Sequence, residues 1–318
     1  MIYKASIIGL GNIAWKYDKG ISDSYVRTHA ECYLKDAKTN LKGGVSPCKK
    51  ELDEFTDYYH LEKYKNIEYL LKDKQDIVSI CSPSEFHFQQ VKRCILSGVP
   101  MIWLEKPATT NIYELEELID LADKFNTKVL VNYQRRYCSN YINLKKIFKE
   151  EHFGKPLNIH LTYSRGLLIN GSHILDILSY ILDDKKSIAL DIITQSVRNN
   201  PSFTMKTNSD IMINVTGYDL TYHNIDIEIT FEKGRCAILH GGMTNRIEQR
   251  IEHELFHGFY RLKEVSSDKL GQAGFTYSLE KGLSDLIYSY ENDSQPVSNL
   301  KSCYNSQKII NKVLSEIL

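Results

Sequence analysis

The apolar run Ala5 to Ile8 breaks into Gly9-Leu10-Gly11-Asn12-Ile13-Ala14, and this turn limits the fold more than any other stretch of the chain. Two glycines one residue apart, with a small residue three further on, suit a strand-to-helix turn whose backbone must bend sharply and lie bare against an anion. Gly9 would make the turn, Gly11 would leave room for a pyrophosphate, and Ala14 would let helix approach strand. The amides opening that helix would face the anion. Short apolar runs recur at Leu41 to Val45, Ile77 to Cys81, Met101 to Leu104 and Lys128 to Val131. Between the last two, Leu115, Leu118, Ile119, Ala122 and Phe125 repeat at helical spacing. Short strands that are apolar on both faces need helices on both faces. Residues 1–131 are therefore expected to form an α/β Rossmann domain, a doubly wound parallel sheet.

From about Asn158 the pattern changes to strict alternation. Between His223 and Glu232 every odd position from 225 to 231 is apolar, and Ile159, Leu161, Tyr163 and Ile211, Ile213, Val215 alternate likewise. Strands with one dry face predict an α+β domain over 132–318, with a large open, mainly antiparallel sheet covered by helices on one side. Helices are expected at Ser278 to Tyr290 and Ser302 to Leu318. Asn199 to Ser209 and Ser266 to Gly274, rich in small polar residues, are expected to be disordered.

Forty basic residues balance forty acidic ones in 318, which argues against a nucleic-acid partner. The seven cysteines are odd in number and none stands in a C-x-x-C pair, so a reducing compartment is expected rather than a disulfide framework or zinc knuckle. The first apolar stretch is too short for a signal peptide or membrane span. A soluble cytoplasmic protein without membrane contact is the expectation. His253 and His257 stand four apart, and no metal is expected there.

The glycine fingerprint also calls for an acid after the second strand, to bind a ribose 2'-hydroxyl. Here Leu41 to Val45 runs into Ser46-Pro47-Cys48-Lys49-Lys50. Serine with lysines close behind leans towards NADP(H) over NAD(H), unless Lys49 and Lys50 are simply a solvated helix start. Lys106, in Glu105-Lys106-Pro107, follows the run Met101 to Leu104 at the carboxyl edge of the expected sheet, where doubly wound folds bind ligands. An amine there, partly buried and near a nicotinamide, is suited to take or give a proton near neutral pH. Glu105 either pairs with it or caps the site.

The glycine turn, Ser82-Pro83 with His87 beyond, Glu105-Lys106-Pro107, Asn132-Tyr133-Gln134-Arg135-Arg136 and Gly171-Ser172-His173-Ile174-Leu175-Asp176 follow one another in an order that resembles the glucose-fructose oxidoreductase / inositol dehydrogenase (Gfo/Idh/MocA) family. The resemblance implies NAD(P) on the Rossmann domain, a small sugar-like substrate held between the domains, and a homodimer or homotetramer built through the open sheet. The implied reaction is hydride transfer between the nicotinamide and a carbinol carbon of a sugar, sugar derivative or nucleotide-sugar, with Lys106 as acid/base and His173 assisting. Gly9, Gly11, Asn12, Ile13, Ala14, Ser46, Ser82, Pro83, His87, Glu105 and Lys106 would line the cofactor. Arg135 and Arg136, with Arg165, would hold a carboxylate or diphosphate, or else form an interdomain salt bridge. Tyr163, Asn170 and Asp176 complete the expected substrate side. Many family members carry an aspartate four residues before the histidine, where this chain has Ile169. Two other readings remain open: a lyase or glycosidase that keeps its NAD bound, and a nucleotide-sensing regulator without chemistry.

Overall fold

The apolar runs of the first part pair in parallel in the computed structural model of the chain, which describes residues 1–183, 188–197, 199–269 and 275–317. The strands are β1 (Tyr3–Ile8), β2 (Thr39–Val45), the two-residue β3 (Glu62–Lys63), β4 (Ile77–Ile80), β5 (Met101–Leu104) and β6 (Lys128–Val131). They lie in the order β3-β2-β1-β4-β5-β6. Between them run α1 (His29–Lys35), α2 (Lys49–Tyr59), α3 (Ile67–Lys72), α4 (His87–Leu96) and α5 (Ile112–Phe125). Every residue of β4, β5 and β6 is buried, as expected of strands covered on both faces. Ile102, Leu104, Val129 and Val131 share one core with Val91 and Ile95 of α4 and Leu115 and Leu118 of α5. Trp103, one residue out of phase, meets His29 and Tyr33 of α1, with ring centroids 3.9 and 5.8 Å away. The reversal of strand order between β1 and β4 places a crevice at their carboxyl ends.

One expectation fails at the glycine turn. No regular α-helix opens at Gly11: the chain makes turns and a short 3-10 segment at Lys16–Asp18, and α1 begins only at His29, capped by Thr28. Side chains explain this. The fully buried Trp15 donates its indole N–H to the Leu10 carbonyl at 3.0 Å, and the buried Asp18 accepts from the Arg27 amide and the Thr28 hydroxyl at 3.0 and 2.7 Å. Together they fold the segment into a knot of turns.

Among the described residues the second sheet has eight strands. After α6 (Ser139–Lys149) come β7 (Pro156–Ser164), α7 (Ser172–Ile181), β8 (Ile188–Val197), β9 (Asn200–Thr207), β10 (Met212–Tyr218), β11 (Ile225–Phe231), β12 (Gly234–Leu239), β13 (Thr244–Glu252) and β14 (Tyr260–Lys269). Their order is β14-β13-β12-β11-β7-β10-β9-β8, with only β7 and β10 parallel. Ile225, Ile227 and Ile229 lie opposite Tyr163, Leu161 and Ile159, so the alternation seen in sequence becomes one continuous dry face. Ile174, Ile177, Leu178 and Ile181 of α7 pack in the same core. The stretch Asn199 to Ser209, expected to be disordered, is largely β9. It pairs with both β8 and β10 and buries Phe203 and Met205; its polar alternate residues had masked a strand with one dry face. Of Ser266 to Gly274, residues through Lys269 belong to β14, and 270–274 lie outside the described residues.

The chain then returns to the first unit. α8 (Ser278–Glu291) packs on β5, β6 and α1 with Leu279, Leu283, Leu286 and Ile287 buried, and Ser298 exchanges hydrogen bonds with Val131 along the outer edge of β6. α9 (Tyr304–Ile317) places Ile310 and Val313 in the core of the second unit. The compact units are therefore 1–134 with 277–304, and 135–276 with 305–318, rather than two continuous halves meeting at 131. No helix among the described residues is long and apolar enough to cross a membrane.

Candidate active site

A cavity of about 950 Å³ opens at the carboxyl ends of β1, β2 and β4, with Gly9, Gly11, Ser46, Glu51, Ser82 and Pro83 among its lining. The two glycines serve it differently. Gly9 has φ +86°, and a Cβ there would lie 2.6 Å from the Ser82 amide nitrogen, whereas a Cβ on Gly11 would meet nothing within 4 Å. The space a side chain would take at Gly11 is what a pyrophosphate needs, so the residues present fit a dinucleotide. Ala14 is fully buried where α1 crosses, its carbonyl accepting from the Ala30 amide at 2.9 Å. Asn12 is exposed, and neither it nor Ile13 lines the cavity.

At the end of β2, Ser46 donates to Glu51 Oε2 at 3.0 Å, and Lys16 donates to Glu51 Oε1 at 2.8 Å. The Lys16 ammonium, against the effect of partial burial and with help from Ser46, holds the Glu51 carboxyl below its ordinary range. Lys49 and Lys50 are exposed in the first turn of α2 and do not line the cavity. The charged group beside Ser46 is thus an acid, six residues beyond the strand end where one was sought.

Lys106 stands half-exposed just past β5, its peptide bond to Pro107 in the cis form. Behind it lies a buried polar chain that the sequence did not announce. Glu105 Oε1 lies 3.0 Å from His29 Nε2 and also accepts from Asn132 Nδ2. His29 Nδ1 lies 2.8 Å from Ser79 Oγ, which is 2.6 Å from the Tyr33 hydroxyl. With the ring proton on Nε2, each donor finds an acceptor, from Tyr33 through Ser79 and His29 to the carboxylate. Burial pushes the Glu105 carboxyl up, but the contacts from His29 and Asn132 and the charge of Lys106 outweigh it, and it titrates below its ordinary value. Glu105 therefore faces His29 rather than the cavity. His87 differs from expectation in the same way: it is buried, with Nδ1 2.8 Å from the Pro107 carbonyl oxygen and Nε2 2.9 Å from that of Ser82. It stands behind the cavity wall and ties the two segments together.

In the second unit most of the expected substrate residues turn inward. Arg136 and Asp176 are both fully buried and form a two-point ion pair, Nε to Oδ2 at 2.9 Å and Nη2 to Oδ1 at 2.8 Å. Arg135 is buried with its guanidinium 5.2 Å from the Phe275 ring centroid. Tyr163 is a core residue whose hydroxyl donates to the Pro201 carbonyl at 2.7 Å. Arg136 and Asp176 share one constraint: α7 and the turn before α6 converge on the same core, and a charge entering it must bring its partner. Arg165, with φ +64°, is exposed and lines a cavity of about 660 Å³ together with Ile169, Asn199 and Asp219. Residues Leu167–Gly171 form a π-helical turn leading into α7. There Ile169 points outward at 57% exposure, while the buried Asn170 places Nδ2 3.2 Å from His223 Nδ1. His173 sits in the first turn of α7, 9% exposed.

His253-Glu254-Leu255-Phe256-His257 spells H-E-x-x-H, a zinc pattern only when both histidines share a helix face. The stretch is instead the turn between β13 and β14. Among the described residues no three metal-ligating groups cluster.

A bare glycine turn over a crevice at the switch point of a doubly wound sheet, with an amine at the neighbouring strand end, is an arrangement suited to binding a nucleotide. Residues 3–133 match the model described as an oxidoreductase family with an NAD-binding Rossmann fold. The chain is similar to the inositol 2-dehydrogenase of Salmonella paratyphi B, 23% identical over 260 residues that cover 75% of this chain and 74% of the relative. It is also similar to the glucose-6-phosphate 3-dehydrogenase of Bacillus subtilis, 21% identical over 74% of this chain and 68% of that one. In fold it resembles a 3-ketoreductase from Actinomadura kijaniata solved in complex with TDP-benzene and NADP, with a TM-score of 0.76 at 13% identity over 99% of this chain and 98% of the other.

Proposed function

We propose that the protein interconverts a carbinol and a carbonyl on a sugar, a sugar derivative or a nucleotide-sugar, with Lys106 as the acid/base group and His173 assisting. The observation that carries this reading is the half-exposed Lys106 at the end of β5, next to a buried carboxylate and on the sheet edge that holds the cavity. The relatives named for inositol and for glucose 6-phosphate act, by those names, on polyhydroxylated rings, which supports a substrate of that class. A nicotinamide bound at the glycine turn would supply or accept the hydride. The protein's part is to manage the proton. In the oxidative direction a neutral Lys106 takes the proton of the hydroxyl as the C–H bond breaks; in reduction its ammonium returns it to the forming alkoxide. Glu105, held by His29 and Asn132, keeps a fixed negative charge behind the amine. Arg165 and Asn170 remain the proposed substrate contacts.

Replacing Lys106 by methionine keeps the stem and removes the proton carrier. Turnover with a reactive sugar is expected to fall about a hundredfold or more, while NADH or NADPH binding, read by nicotinamide fluorescence, stays within the wild-type range. Full activity in Lys106→Met would remove the residue from the reaction. A dinucleotide that co-purifies and shows no net redox change during turnover would instead favour the lyase or glycosidase reading.

A further inference from the structure

We infer that Glu51 selects the cofactor and that the protein prefers NADH to NADPH, because the carboxylate held at the end of β2 by Lys16 and Ser46 stands where the adenine-side ribose arrives. The inference rests on the dinucleotide reading of the cavity given above. From the sequence alone, Ser46 with Lys49 and Lys50 points the other way. In the structure both lysines are exposed on α2 and do not line the cavity, while Ser46 and Glu51 do.

The hydrogen bonds decide the polarity of this corner. Ser46 Oγ spends its proton on Glu51 Oε2 at 3.0 Å and accepts from the Cys48 amide at 3.2 Å, so its hydroxyl has no donor left for a phosphate. Glu51, ionised beside Lys16, can only accept. Lys16 reaches the other carboxylate oxygen, Oε1, at 2.8 Å and is not part of the cavity lining; it fixes the carboxylate without turning a cation towards the ribose. Ser46 and Glu51 therefore present acceptors to the cavity. Two ribose hydroxyls bring donors and fit it; a 2'-phosphate brings only acceptors and about two negative charges. Lys65 and Arg93 also line the cavity; Arg93 is paired to Glu68 at 2.9 Å, and Lys65 follows β3, whose Lys63 lies opposite Gly44 of β2. The acid of the fingerprint is thus supplied from the first turn of α2 instead of from the strand.

The test is a direct titration of the full-length protein and of Glu51→Gln with NADH and with NADPH, by nicotinamide fluorescence or calorimetry. Wild type should bind NADH about tenfold tighter than NADPH or better, the scale of one unfavourable charge contact at a half-exposed site. Glu51→Gln should close most of that gap, chiefly by tightening NADPH, and Glu51→Asp should keep it. Glu51 is a partly exposed helix residue, and a thermal melt like that of wild type shows that the variants fold. Equal or tighter NADPH binding by wild type, or a ratio unchanged in Glu51→Gln, would overturn the inference and leave the dinucleotide reading standing. Failure of wild type to bind either dinucleotide would overturn that reading, and the inference with it.

Discussion

Gly9 has a positive φ, and any Cβ there would run into the Ser82 backbone at 2.6 Å; Gly11 has neither constraint. The sequence motif treats the two alike, but the physics separates them. Gly9→Ala is expected to destabilise the protein itself by about 1 kcal/mol or more, through strain at positive φ and the clash with β4's end. Gly11→Ala should leave the melting of the ligand-free protein nearly unchanged, because its methyl meets empty space, yet weaken NADH about tenfold or more by filling the place of the pyrophosphate. Melting curves with and without NADH separate the two effects; equal loss of stability in both variants would contradict this account. The same scale explains why His29 escaped notice. A lone histidine carries no sequence period, and only the pairing of β1, β4 and β5 brings Ser79 and Glu105 to its two nitrogens.

Helix α7 is buried along its whole length, including Ser172, His173 and Asp176. An apolar stripe at 174, 177, 178 and 181 was visible in the sequence, and so was the adjacency of His173 and Asp176 at three residues' separation. What could not be seen was Arg136, forty positions earlier, reaching Asp176 with two hydrogen bonds. A buried ion pair roughly balances its own desolvation cost, so it adds little net stability but fixes how α7 lies against the turn before α6. Breaking it from one side is another matter. Asp176→Ala should cost about 3–5 kcal/mol, measured by urea unfolding, and adding Arg136→Met to that variant should recover most of the loss. A single substitution costing no more than an exposed ion pair would show that the pair does not orient the helix.

At the level of the whole chain, the first unit is not continuous: α8 and the segment to 304 return to it. A parallel sheet needs cover on both faces, and α4 and α5 supply one side while α1 and α8 supply the other. Four buried apolar side chains on α8 represent, at about 1.5–3 kcal/mol each as an upper estimate, as much as the total stability of an ordinary domain. Residues 1–134 expressed alone should therefore show no cooperative melt and no NADH binding, whereas the same segment with 277–304 joined by a flexible linker should show both. A cooperative melt of 1–134 by itself would refute this. Five strands of the first sheet, with β5 and β6 matched to their ends, and β7, β10 and β11 of the second were legible in the sequence, because their apolar runs or alternation are written in their own residues; β9, whose alternate residues are polar, was not. The glycine turn and the lysine after β5 were legible for the same local reason. Which sheet α8 covers, that Arg136 and Asp176 consume each other, that Glu105 answers to His29, and that Glu51 rather than Lys49 or Lys50 faces the cavity are pairings between distant segments. An amphipathic helix or a charged side chain states in sequence that it needs a partner; only the packed backbone brings that partner within hydrogen-bond reach and so decides which one it is.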